Sequence, residues 1–529
     1  MRINRTIIAA ALALVLTIPG VAQNRNGEIR IAISDSEVEL NPLHAYVVTE
    51  AQLLTGLHEG LVSYHPLTLD PVPGVAESWS ANDDGTVYEF QLRADARFSN
   101  GDRVTAQHVR DTWFALLDLG DDAPYAGLFD IIDGARRYRR GESDDRDEVG
   151  IRAPSDLRFE VELTQPAGHF PQMIAHHSFG VLHPDMIDRT DHKEPEDHIG
   201  NGPFVLTDID SDRIVMERNE RYWGARSVDS ERIVFTRTDD SVGATADYFD
   251  GEIDWVLGPI AFDEVIDDRD LVVNALFATT FYYLRAEVAP WDDPDVRRAL
   301  ALLLPWEEIR SDEVYFLPTH RLVPDLPGYP EVAGLTERNE SEALSLLESA
   351  GYPEGDGLPD VLIRIPGGFD ANRVADLMAG AWESALDIVV EIETVPYPDY
   401  FDAAGESEVT VGMFSWIGDY SDPLTFLQLW TSDSNLNEAG LSDERYDELV
   451  DRAIPLDGSE RFEVMAEAEE MLLRTGTIMP VTHTASFNLI DLNAIEGWFP
   501  NPLDIHPLRY LRKRPQEPAP DLIRYSLRR

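Results

Sequence analysis

The chain has 529 residues, 98 of them acidic and 43 basic, giving a formal net charge of -55, and it contains no cysteine. Such a surface repels nucleic acid and anionic lipid, and the lack of thiols excludes disulfides, thiol catalysis and thiolate zinc sites. A hydrophobic content of 43% is enough for large buried cores rather than disorder.

Of the basic residues only Lys193 and Lys513 are lysines. A surface this acidic keeps a chain soluble when salt screens charge, and reads as halophilic adaptation to a salty exterior. Arg2 and Arg5, an apolar run over residues 6–18 and the small residues up to Ala22 follow the order of a secretory signal peptide over residues 1–22. The run is shorter than the roughly 20 residues of a spanning helix. The mature chain is therefore expected to be exported, soluble and without membrane insertion. With no cysteine for a lipid anchor, the expected location is the periplasm.

In chain order, residues 27–34 alternate Ile29, Ile31 and Ile33 as a strand with one buried face. Residues 49–61 read as a helix, 87–92 as a strand and 105–117 as a helix with Thr105 as its N-cap. A strand follows at 157–163. Residues 202–207 and 213–218 read as two strands joined by an acidic turn, and 295–304 and 340–350 as helices, the second stopped by Gly351. Strands at 361–365, 388–392 and 408–414 alternate with helices at 372–385 and 399–404, which implies α/β sheets. A long amphipathic helix at 461–474 precedes a strand at 478–481. Residues 515–529 read as a loosely packed extension.

Catalytic patterns are lacking. His58-Glu59 would begin a zinc-protease helix, but Val62 stands where its second histidine must be, and neither a Gly-x-Ser-x-Gly elbow nor a phosphate loop occurs. Asp208, Asp210 and Asp212 have the spacing that opens a calcium loop, yet Arg213 takes the required glycine position and Asn219 that of the bidentate glutamate. Six histidines, His169, His176, His177, His183, His192 and His198, crowd a segment broken by Pro171, Pro184 and Pro195, in no fixed metal spacing. No catalytic residue, metal or cofactor is expected.

Several stretches, in their order and spacing, resemble one family. They are Gly-Leu-His-Glu-Gly-Leu-Val-Ser-Tyr at 56–64, Pro-Gly-Val-Ala-Glu-Ser-Trp at 73–79 and Phe-Ser-Asn-Gly-Asp-Arg-Val-Thr at 98–105. Gly-Asn-Gly-Pro-Phe at 200–204, Glu-Arg-Asn-Glu-Arg-Tyr-Trp at 217–223, Pro-Trp-Asp-Asp-Pro-Asp-Val at 290–296 and Trp-Ile-Gly-Asp-Tyr-Ser-Asp-Pro at 416–423 continue the pattern. The chain resembles the large periplasmic solute-binding proteins of ABC importers that include the oligopeptide- and dipeptide-binding proteins, from about residue 28 to 512.

The resemblance implies an α/β, two-lobed periplasmic-binding-protein fold with an extra small inserted domain and a hinge between the lobes. Lobe I would take residues 23–45, 167–277 and 480–514, the inserted domain 46–166, and the other lobe 278–479. It also implies a monomer that captures a peptide and delivers it to the permease subunits of an importer. By the same resemblance Asp419 meets the ligand's terminal amine, and the backbone of Ser415, Trp416 and Ile417 pairs with the ligand as an added strand. Trp416 and Tyr397 match cleft aromatics, Val48 the opposite wall, and Tyr125 a contact from the small domain. The chain departs from the pattern at Ala404 and Met413, where some peptide binders carry arginines for the ligand's carboxylate. Arg373 is a candidate substitute, and His483 a candidate contact where the family often shows tyrosines. A sugar, metal chelate or opine-like solute stays open as the alternative ligand.

Overall fold

The computed structural model describes residues 27–34, 37–189, 191–267, 269–311, 317–396 and 399–514. The expected signal peptide, the extension at 515–529 and Tyr397 lie outside the described residues. No helix of the described residues is long and apolar enough to cross a membrane.

A ten-stranded mixed sheet runs through the molecule, and a separate four-stranded sheet stands beside it. At one end of the large sheet Glu28–Ile33 lies parallel between Arg232–Arg237 and Trp255–Leu257, with Ile29, Ile31 and Ile33 buried. Arg213–Arg218 and Phe204–Ile209 continue it as a hairpin. In the hairpin's acidic turn Asp210 accepts from the backbone N–H of Asp212 and of Arg213, and Arg213 pairs with Asp208. Those carboxylates serve turn chemistry.

At the other end Val361–Ile365 lies parallel between Val390–Thr394 and Val411–Ile417. Helices Pro294–Leu302 and Phe369–Ala385 contribute to the buried cluster on this end of the sheet, around Trp306 and Trp382. Local signals set these elements. Asp293 caps the first helix through the N–H of Asp295, with Pro294 at its first position. Asn339 caps Glu340–Ala350, and Gly351 ends it at φ 95°.

Two long strands, Leu271–Leu284 and Ile478–Ile490, belong to both ends. They pair antiparallel with each other, but the register shifts between Ala275 and Thr279. Inside that gap Phe277 donates its N–H to Pro502 O at 2.8 Å and accepts from Gly418 N–H at 2.9 Å. The fold is thus two lobes joined through two strands whose shared ladder is interrupted where they cross.

The small sheet is ordered Ala76–Ala81, Val87–Leu92, Arg158–Glu162, Ile151–Ser155. Helix Ala106–Asp118 packs on it, with Trp113 edge-on to Phe159 at 4.9 Å. One buried cluster runs from this small domain into helices Glu444–Ala453 and Gly458–Arg474 of the second lobe.

The first helix, expected over 49–61, spans Val48–Leu57. It stops because the Asn201 side chain claims the backbone of Glu59, accepting from its N–H at 2.9 Å and donating to its carbonyl at 2.8 Å. The buried Glu59 carboxylate accepts from Tyr222 Oη at 2.5 Å and Trp223 Nε1 at 2.6 Å, and pairs with Arg509 at 2.8 Å. One carboxylate therefore ties together the stretches 56–64 and 217–223 and the end of the described chain. Removing a partner from such a buried charge costs more than the pair itself contributes.

Candidate functional site

Asp419 follows the end of strand Val411–Ile417 and is 5% exposed. Thr425 holds it twice: Asp419 N–H donates to Thr425 Oγ1 at 2.9 Å, and that hydroxyl donates to Asp419 Oδ2 at 3.1 Å. Tyr64 Oη reaches the Asp419 carbonyl at 3.4 Å. Among the described residues no arginine or lysine pairs with the carboxylate. His176 Nε2 lies 3.9 Å from Oδ1. Burial raises the Asp419 carboxyl to about 7, against the smaller opposing effect of Thr425.

His176 does not supply the missing charge. Burial, reinforced by the adjacent His177, holds its imidazole well below the ordinary range, so it is neutral. Its Nδ1 accepts from Ser178 N–H at 3.4 Å, which assigns the ring proton to Nε2, the nitrogen facing Asp419. The site thus offers a buried carboxylate with one oxygen unclaimed.

Aromatic side chains from distant segments gather around it. Tyr125 lies 4.3 Å from the His176 ring and stacks on Tyr46 at 6.1 Å, and Tyr46 meets Trp416 at 6.4 Å. Trp416 Nε1 is buried with no hydrogen-bond partner among the described residues, a donor that a ligand carbonyl would satisfy.

The strand carrying Trp416 pairs with the long strand from Ala278 to Leu284 on one side. On its other side Val361–Ile365 touches it at Ile363↔Val411. Met413 turns its N–H and carbonyl outward, where Tyr400 Oη takes both at 2.8 Å. With a two-residue period, Ser415 and Ile417 present their backbone groups along the same outward edge. That edge has no neighbouring strand among the described residues and is open to an extended ligand. The Ser415 hydroxyl accepts from Thr280 at 3.1 Å.

The remaining candidates lie elsewhere. Val48 opens helix Val48–Leu57, two residues after Tyr46. Arg373 is half-buried in helix Phe369–Ala385, and its charge lowers the carboxyl of Asp370, which burial raises. His483 sits on the crossing strand with Nδ1 2.9 Å from Thr279 Oγ1, and its N–H donates to Leu317 O at 2.8 Å. Burial lowers that imidazole to about 4. Among the described residues its polar contacts are with the crossing strand and residue 317, and none is with the group around Asp419. Sequence reasoning missed Thr425, Tyr46 and Tyr64, and noticed His176 only as one of many histidines. Nothing local marks them, because their role comes from what folding places beside residue 419.

A cavity of about 540 Å³ lies between the small domain and the second lobe. Asp419, His169, Met173 and Leu424 line it, with Leu128, Ile131 and Asp133 from the small domain. Ser415, Trp416, Ile417 and Tyr125 do not. Asp419 thus stands between this cavity and the aromatic cluster. Among the described residues no group of histidine, aspartate or glutamate is arranged to hold a metal ion.

Residues 70–438 match the family model described as bacterial extracellular solute-binding proteins, family 5. The chain is 27% identical over 515 residues to the periplasmic oligopeptide-binding protein OppA of Salmonella typhimurium, covering 92% of each chain. It is 27% identical over 431 residues to the dipeptide-binding protein DppE of Bacillus subtilis, covering 78% of each. Among solved structures, Haemophilus influenzae OppA in complex with the peptide RPPGFSPFR superposes with a TM-score of 0.79 at 26% identity, over 93% of this chain and 99% of that one. Fold and sequence agree: the chain belongs to the bacterial extracellular solute-binding proteins of family 5.

Proposed function

We propose that this protein is the extracytoplasmic binding component of an ABC importer and that its ligand is a peptide. The observation that carries this reading is Asp419, a buried carboxylate with no cationic partner among the described residues. Burying a carboxylate without a partner is costly, and the terminal ammonium of a peptide supplies that partner. The outward edge at Ser415 and Ile417 pairs with the peptide backbone whatever its side chains. Trp416 and Tyr125 enclose it. Val48 faces the ligand's other edge, Tyr397 is, like Trp416, a candidate cleft aromatic, Arg373 the candidate for the ligand's carboxylate, and His483 a candidate further contact.

The cycle has no chemical step. The lobes rotate about the interrupted ladder between Ala275 and Thr279, lobe I being the described residues within 23–45, 167–277 and 480–514. A ligand favours the closed form only by touching both lobes. The closed monomer then docks on the importer's permease, and the acidic exterior suits a protein released to the periplasm. Removing the carboxylate while the ammonium is still buried strands a charge, so Asp419→Ala should weaken peptide binding by about 3–5 kcal/mol. Titration calorimetry of wild type and variant decides it, and equal affinities would sink the assignment.

A further inference from the structure

The cavity beside Asp419 carries more negative charge than its own walls neutralise. Asp130 is gripped on both oxygens by Arg139, at 3.0 and 2.8 Å. Asp433 is paired with Arg136 and Arg140, and Arg137 turns to Glu148 at 3.7 Å. Arg139 also pairs with Asp121 at 2.6 Å, so these four arginines and four carboxylates cancel among themselves. Three carboxylates of the lining, Asp133, Asp451 and Asp419, have no arginine or lysine within ion-pair distance among the described residues. Asp419 is not a surface charge that water alone would satisfy. It is 95% removed from solvent, and Oδ1 accepts no hydrogen bond among the described residues. The cavity also has apolar walls, at Leu128, Ile131, Met173 and Leu424.

We propose that this cavity is a subsite for a cationic side chain attached next to the ligand's amine, so that the protein prefers peptides beginning with arginine or lysine. The inference rests on the amine reading of Asp419 and adds the neighbouring residue to it. A long basic side chain suits the lining: its methylene stem lies on the apolar walls while its head meets Asp133 and Asp451. At about 540 Å³ the cavity has room for the side chain and for water around its charge. Asp133 and Asp451 are exposed, so with a neutral first side chain they stay solvated and contribute nothing to binding.

Calorimetry with Ala-Ala-Ala, Arg-Ala-Ala and Ala-Ala-Arg at low ionic strength tests this. The last two carry equal charge, which cancels the long-range pull of the acidic surface. Arg-Ala-Ala should bind about tenfold tighter than Ala-Ala-Arg, the gain of one well-placed charge-assisted contact. In the double variant Asp133→Asn, Asp451→Asn that ratio should fall towards one. A wild-type ratio of one, or a ratio the double variant leaves intact, overturns the subsite. If Ala-Ala-Ala binds and a leading arginine brings no advantage, the subsite alone is lost. If none of the three binds, the peptide reading falls and takes the subsite with it.

Discussion

Asp419 and Thr425 bond each other twice, backbone to hydroxyl at 2.9 Å and hydroxyl to carboxylate at 3.1 Å. Six residues apart, they close a small loop that fixes the direction of a carboxylate with no arginine or lysine beside it among the described residues. Thr425 is fully buried, so the pair is a rigid element of the site rather than a passing surface contact.

Thr425→Val keeps the shape of the side chain and removes the hydroxyl. The carboxylate loses the one side-chain donor it has among the described residues, and the Asp419 N–H loses its acceptor. Peptide affinity should drop by about 1–3 kcal/mol, and Thr425→Ser should restore most of it. Calorimetry of the two variants separates this positioning role from simple packing, because serine returns the hydrogen bonds without the methyl.

Peptide binding should weaken in mild acid. With the ligand-free carboxyl raised to about 7, the site below that pH holds a proton which the ammonium must displace. Affinity should fall by about tenfold per pH unit once below that value. His169 and His177, lowered by burial to about 4 and about 3, stay neutral through this range and do not mask the effect. Affinity that is flat from pH 8 to 5.5 would contradict it. Stability without ligand should follow the opposite trend. Between the ordinary carboxyl value of 3.8 and about 7 the folded state binds the extra proton, so the contribution present below this window is lost as pH rises through it. Asp419→Asn should therefore raise the melting temperature at pH 8 and leave it nearly unchanged at pH 4.

Asp433 joins the second lobe to the small domain. Its carboxylate pairs with Arg136 and Arg140, and its carbonyl accepts from Arg140 at 3.0 Å. These groups are about a third to a half exposed, so each pair contributes only about 0.2–1 kcal/mol. Asp433→Asn should speed ligand release severalfold at low ionic strength, with the difference shrinking as salt screens the pair. Stopped-flow release at two salt concentrations checks both parts.

Glu469, fully buried on helix Gly458–Arg474, accepts from the N–H of Leu322 and Val323 at 2.7 and 3.0 Å and from Tyr329 Oη at 2.9 Å. That segment lies against the crossing strand, where Pro318 bridges Thr482. Glu469→Ala orphans three donors at once. Hydrogen exchange should quicken at the amides of Leu322 and Val323 by more than in the strand beneath them. Unchanged protection there would count against Glu469 as the anchor of this segment.

Much of the architecture can be read locally. Helix Glu340–Ala350 and strand Val361–Ile365 lie where capping residues and apolar pattern place them, because those signals act over a few residues. Strand Leu271–Leu284 escapes such a reading, since a strand buried from Leu276 onward on both faces shows no alternation. Ile478–Ile490 reads as only four residues because the rest of it is set by pairing, Thr482 and His483 with Thr280 and Thr279, and Ala485 to Leu489 with Ala275 to Leu271. Strand Val411–Ile417 likewise starts and ends three residues later than its pattern suggests, extended by pairing with Ala278.

The chain's charge, its lack of thiols and catalytic motifs, and its family-like stretches were legible before any coordinates, since they depend on residue identity and order alone. Which groups surround Asp419 was not. His176, Tyr125 and Tyr46 are hundreds of residues away along the chain, and only the tertiary fold brings them to the carboxylate. An unpartnered buried charge is a property of its surroundings, and those surroundings exist only after folding has removed the water.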